Sequence, residues 1–181
     1  MATEDGSLLH NWLGPGARRL ERHVTVVRAS PEKAAEATEL VRLADMPVVR
    51  LLFWLRGIPH SKDQTLRDFF STPPFYILDE DPTREVVIGT AGRLLRSRAF
   101  SSPAELRDYA EAGTIKAIAN FRVEPAESGC LISTETWIET YGRRASWLFR
   151  AYWLIVGPFS ALIRRVFLRA VKNEAESGQR E

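Results

Sequence analysis

The chain reads as an α+β domain in which an antiparallel β-sheet covers its apolar face with one long C-terminal helix. Three observations predict this. Residues 23–29 are rich in β-branched side chains and run straight into a helix start at Ser30-Pro31-Glu32. Residues 114–124 and 130–139 are two long strand-like runs joined by a turn that contains Gly129. From Arg143 onward the apolar residues recur at three- and four-residue steps, the period of a helix. A sheet with one apolar face must bury it against another element, and the last helix is the one long enough to do so.

Each element has a local reason. Residues 1–20 mix Gly6, Gly14, Pro15 and Gly16 with scattered apolar residues, so they predict an irregular arm in which Trp12 and Leu13 dock. Ser30 can cap orphan N–H groups, Pro31 suits the first helical position, and Glu32 favours the positive helix end. Pro47 separates that helix from a second apolar stretch, 48–55, closed by Gly57 and Pro59. A short helical turn at 66–70 runs into Pro73-Pro74. Residues 75–78 and 85–91 flank the turn-forming Asp79-Glu80-Asp81-Pro82-Thr83, which predicts a hairpin. Ser101 or Ser102, with Pro103, opens another short helix. The terminal helix carries Leu148, Ala151, Tyr152, Ile155, Phe159, Leu162, Ile163 and Val166 on the face expected to meet the sheet, and Arg150, Arg164, Arg165 and Lys172 mostly opposite. A break or bend is expected at Gly157-Pro158.

Composition bounds the function. With 181 residues, 45% hydrophobic and 27% charged, the chain suits one globular domain, 21–176, between the arm and a frayed tail, 177–181. The single Cys130 can form no intramolecular disulfide, and no two of the three histidines have ligand spacing, so neither metal nor cofactor is expected. No Gly-rich phosphate loop follows a strand. Residues 1–30 hold Glu4 and Asp5 and no apolar signal core, which predicts a cytoplasmic protein. Only thirteen residues separate Arg150 from Arg164, fewer than the roughly 20 a spanning helix needs.

Beyond order and composition, residues 24–32 (VTVVRASPE), 119–123 (ANFRV), 133–137 (STETW) and 149–153 (FRAYW), continuing to 158–165 (PFSALIRR), resemble the START and polyketide-cyclase-like superfamily (SRPBCC), in an uncharacterised bacterial branch. The resemblance runs from about His23 to Glu176. It implies the helix-grip fold, a curved antiparallel sheet wrapped around a long C-terminal helix, with a cavity for an apolar molecule used for transport, cyclisation, hydrolysis or sensing. Fold alone does not choose among these.

The expected function is binding of a small hydrophobic, lipid-like or polyketide-like ligand between sheet and helix, without covalent chemistry. Along 114–124, Ile115, Ala117, Ala119, Phe121 and Val123 share one face, and Lys116, Asn120 and Arg122 share the other. The small Ala117 and Ala119 leave volume for a ligand or for a bulky helix residue. On the partner strand either alternating set suits the interior; Ile132, Thr134, Thr136 and Ile138 would give apolar walls with a few hydroxyls. Tyr152, Ile155 and Phe159 complete the expected lining from the helix. Glu135 is the one carboxylate central to a long strand: turned inward it is a general acid or base for a cyclase or hydrolase with Tyr152 or Asn120, and turned outward it is solvated or paired with arginine. His10, His23 and His60 read as solvated.

Charge adds a third reading. The net charge is +2, yet residues 140–173 carry seven cations (Arg143, Arg144, Arg150, Arg164, Arg165, Arg169 and Lys172) and no anion, leaving −5 for the rest. That basic face suits solvent, a partner, or the surface of an anionic membrane, because Trp147, Trp153, Phe159 and Phe167 interleave with the arginines. Nothing accompanies it that would read nucleic acid.

Overall fold

The computed structural model describes residues 6–55 and 60–177. The expected stops at Gly57 and Pro59, residues 1–5 of the arm, and the tail 178–181 lie outside the described residues. Six strands form one antiparallel sheet: β1 (Arg18–Val27), β2 (Tyr76–Asp81), β3 (Glu85–Arg93), β4 (Arg96–Ser97), β5 (Ile115–Ala126) and β6 (Gly129–Thr140). Their order is β1-β6-β5-β3-β2, with β4 folded back on β3. Among the described residues five α-helices accompany them: α1 (Pro31–Leu40), α2 (Pro47–Leu55), α3 (Leu66–Phe70), α4 (Pro103–Asp108) and α5 (Arg143–Ser177). This is the helix-grip arrangement, with a curved sheet holding a long terminal helix.

Local chemistry sets the boundaries. Ser30 Oγ accepts from the Lys33 N–H at 3.4 Å with Pro31 in the first turn. Thr65 and Asp68 form a reciprocal capping box around the start of α3, at 3.1 and 3.3 Å. The β5–β6 turn closes on the Ala126–Gly129 pair. Gly129 has φ +124°, and a Cβ there would fall 2.2 Å from the Val27 carbonyl oxygen, so only glycine lets β1 pass this close. Pro158 does not break α5, which is helical from Arg143 to Ser177. Proline frees the carbonyl four residues back, and both Pro158 and Leu154 face solvent, where water can satisfy that group.

Both faces of the sheet are covered. On the inner face, Ala119, Phe121, Val123 and Ile132 pack against α1, α2, α3 and the C-terminal half of α5 (Phe167, Leu168, Val171 and Ala175). Phe121 sits 4.4 Å from Phe167 and 5.8 Å from Phe70, ring centroid to centroid. On the outer face, the arm and α4 bring Leu9, Trp12 and Leu106 onto Val87, Ala91 and Ile118. Glu85 holds the arm down by accepting from Ser7 Oγ (2.6 Å) and the Leu8 N–H (2.9 Å), and it also accepts from Asn120 Nδ2 (2.7 Å). At the other end of that face, Lys116 Nζ donates to the Arg107 carbonyl at 2.6 Å and lies 3.7 Å from Glu139. Burial lowers the Lys116 pKa against the pull of Glu139, and burial together with the Glu139 contact raises that of Tyr141. The last turns of α5 latch onto the free side of β1: Lys172 Nζ donates to the Val26 carbonyl at 2.9 Å, and Glu176 accepts from the Arg28 N–H at 2.9 Å.

Candidate functional site

The pairing of β1 with β6 positions the site. Arg18 faces Ile138 and Arg19 faces Trp137, but Thr136 faces Glu21 rather than Leu20, so Leu20 is one extra residue in β1. Such a bulge shifts every following side chain to the opposite face. Downstream of it, Glu21 and His23 turn inward beneath α5, while Arg22 and Val24 turn outward.

Under α5 these two residues meet four more. Glu21 Oε1 accepts from Ser160 Oγ at 2.6 Å and from Thr136 Oγ1 at 3.5 Å; Glu21 Oε2 lies 3.1 Å from His23 Nε2. One helical turn beyond Ser160, Arg164 Nη1 donates to Thr134 Oγ1 at 2.6 Å, and its guanidinium lies 5.3 Å from the centre of the Phe121 ring. Desolvation lowers the Arg164 pKa and the Glu21 carboxylate acts against that shift; an arginine keeps its proton through such a change. The cluster therefore offers a fixed positive group, a carboxylate, an imidazole and three hydroxyls, already cross-linked by hydrogen bonds.

Next to this cluster the inner face is less completely covered than the outer one. β5 is a central strand, flanked by β3 and β6, so exposure of its side chains reports what covers each face. Lys116 and Ile118, on the outer face, are only 4% and 2% exposed. Ile115 and Ala117, on the inner face at the same level, stay half-buried. Beside Ala117 on β3 is Thr90, whose Oγ1 is buried with no hydrogen-bond partner. In the first half of α5, Ala145 and Phe149 are buried, while Tyr152, Trp153, Val156 and Gly157 are half-buried. A separate depression of about 500 Å³, at Arg28, Ala29, Ser30, Ser128 and Gly129, lies at the opposite end of β5 and β6, and its Ser30 hydroxyl is already engaged in capping α1.

The residues predicted from sequence divide between three places. Ala117, Ala119, Thr134, Thr136 and Ile138 share the inner face, with Ala117 opposite Ile138 and Ala119 opposite Thr136. Phe121 lies among the aromatic rings of the core. Tyr152 is half-buried with its ring 6.2 Å from that of Phe149, but Ile155 is 70% exposed and Phe159 45%, on the far side of α5. The helix is turned relative to the periodicity reading because Ser160 and Arg164, polar by type, occupy its buried arc. Glu135 sits on the outer face, 3.2 Å from Arg22 and 3.6 Å from Arg19, and accepts from Trp137 Nε1 at 2.9 Å. Asn120 is there too, donating to Glu85 and accepting from the Glu135 N–H at 2.9 Å. Neither reaches the hollow.

Glu21, His23, Ser160 and Arg164 are the site residues that sequence reasoning missed. The one signal available was that Glu21 and His23 are two apart, and so share a face wherever β1 begins. Among the described residues no group of three or more His, Cys, Asp or Glu side chains could hold a metal ion, and no helix is long and apolar enough to cross a membrane.

No family model and no curated protein matches the chain. Among solved structures it is similar to the X-ray crystal structure of protein MLL2253 from Mesorhizobium loti, at 13% identity and a TM-score of 0.45, over 88% of this chain and 98% of that one.

Proposed function

We propose that the chain is a START and polyketide-cyclase-like (SRPBCC) protein that holds a small, largely apolar molecule on the inner face of its sheet, beneath the first half of α5. The observation that carries this reading is the uneven cover of β5: its outer face is buried at Lys116 and Ile118 while its inner face is only half-buried at Ile115 and Ala117. An apolar face of a central strand is normally packed over completely, and incomplete cover there suits an exchangeable guest. Thr90 Oγ1, buried and without a partner, supplies an idle hydrogen-bonding group beside it. The Glu21, His23, Ser160 and Arg164 cluster gives the polar end of such a molecule something to orient against.

A cyclase or hydrolase reaction in the same hollow is less well supported. Ser160 donates its hydroxyl proton to Glu21 and not to the imidazole, so the Ser–His–acid relay that activates a serine nucleophile is not assembled. Glu21 and His23 together remain a proton-transfer pair, and turnover lost in Glu21→Gln with binding retained would favour the enzyme.

The test combines native mass spectrometry of the purified protein with titration of the fluorescent apolar probe 8-anilinonaphthalene-1-sulfonate. Ala117→Trp fills the incompletely covered stretch and should weaken probe binding about tenfold or more, equivalent to about 1.4 kcal/mol, without lowering the melting temperature. Undiminished probe affinity in Ala117→Trp, together with no retained molecule in the wild type, removes the reading.

A further inference from the structure

The far side of α5 carries an apolar stripe that the rest of the fold leaves bare. Trp147 is 68% exposed and Leu154 is 82% exposed, and Ile155, Pro158, Phe159 and Leu162 continue the same face. At 1.5 Å rise per residue the stripe from 147 to 162 is about 22 Å long. Both of its ends are cationic: Arg143 and Arg144 precede it, Arg165 and Arg169 follow it, and the sequence from 140 to 173 holds no anion. Beside α5, α2 exposes Val48, Leu51 and Trp54.

Large apolar side chains exposed in a row mark a docking surface, and the flanking charge selects the occupant. A second copy of the chain is disfavoured: two-fold pairing of antiparallel α5 helices would set Arg143 and Arg144 of one against Arg165 and Arg169 of the other, with no acidic side chain on the face to offset them. An anionic bilayer surface complements both features at once, taking the Trp, Leu, Ile and Phe side chains into the acyl boundary and the arginines at the phosphates. α5 has no stretch long and apolar enough to cross a bilayer, so the helix would lie in the interface plane. We propose that this face of α5 docks the protein peripherally on anionic membranes. The proposal is independent of what the hollow on the opposite side of the helix holds.

Flotation of the full chain with phosphatidylcholine vesicles, with and without 30 mol% phosphatidylserine, tests it. Leu154→Glu with Ile155→Glu changes only exposed side chains and leaves the core intact, and Arg165→Glu with Arg169→Glu probes the charge. The wild type should float with the serine-containing vesicles and bind neutral ones far more weakly, and added salt should release it. The charge variant should bind at least roughly 30-fold more weakly, from about a factor of five for each of the two basic residues lost, before the added glutamates are counted. The Leu154/Ile155 variant should lose binding at unchanged melting temperature. Equal, negligible recovery with both vesicle types would overturn the proposal, as would binding unaffected by either variant, or a concentration-dependent dimer in light scattering that the Leu154/Ile155 variant abolishes.

Discussion

Replacing Phe121 with alanine is expected to destabilise the protein by about 3–5 kcal/mol, the usual loss for emptying a large aromatic site in a packed core. The ring is 6% exposed, with Phe167 at 4.4 Å and Phe70 at 5.8 Å between ring centres. Phe70 in turn touches Phe75, and Phe69 stacks on Phe53 at 4.8 Å, so the rings tie α2, α3, α5 and the sheet into one unit. These rings cannot close over a missing one without moving the helices that carry them. Arg164 would also lose the aromatic face beneath its guanidinium, 5.3 Å from the Phe121 ring centre. Thermal unfolding should move down by about 10 °C for a chain of this size. Phe121→Leu, which retains most of the volume, should cost less than about 1.5 kcal/mol. A Phe121→Ala loss below about 1 kcal/mol would show that this end of the interior is not close-packed.

The second large effect is expected at Glu85. This carboxylate is 2% exposed and receives three hydrogen bonds, from Ser7 Oγ, the Leu8 N–H and Asn120 Nδ2. Glu85→Ala strands all three donors in a dry site, and each unsatisfied donor costs about 1–3 kcal/mol, so a total of about 3 kcal/mol or more is expected even if water enters. The loss should also be local. Leu9 and Trp12 cover Ile118, Val87 and Ala91, and without its anchor the arm should lift, letting trypsin cut at Arg18 or Arg19 well before the domain unfolds. Glu85→Gln restores two of the three acceptor contacts and should give an intermediate result. Equal protease resistance in Glu85→Ala and wild type would mean that the arm is held by its apolar contacts alone.

Much of the architecture was readable before the structure. The cap at Ser30 and the serine pair before Pro103 are local signals, and α1 and α4 begin beside them. The two hairpins announce themselves through runs of β-branched residues and their turns. The rest depended on distant partners. Lys116, Asn120 and Arg122 read as the polar face of their strand, yet all three are buried: Lys116 reaches the Arg107 carbonyl and Asn120 reaches Glu85, both from other elements, while Arg122 pairs with its near neighbour Glu124. The rotation of α5 was illegible for the same reason: a periodicity count assigns Arg164 to water, and only Thr134 and Phe121, thirty or more residues away, make its buried place tolerable. The candidate site hinges on one unpaired residue, Leu20, because alternation counted forward from Arg18 or Arg19 without it sends Glu21 and His23 to the wrong face.

The latch between α5 and β1 has a consequence for how the molecule behaves in a crowd. β1 is an outermost strand, and an outermost strand with unclaimed backbone groups invites another chain to add on and propagate into aggregates. Here the Val26 oxygen is taken by Lys172 and the Arg28 N–H by Glu176, so the last turns of the helix act as a guard rail along one end of that border. The same segment that grips the sheet from within keeps strangers from extending it.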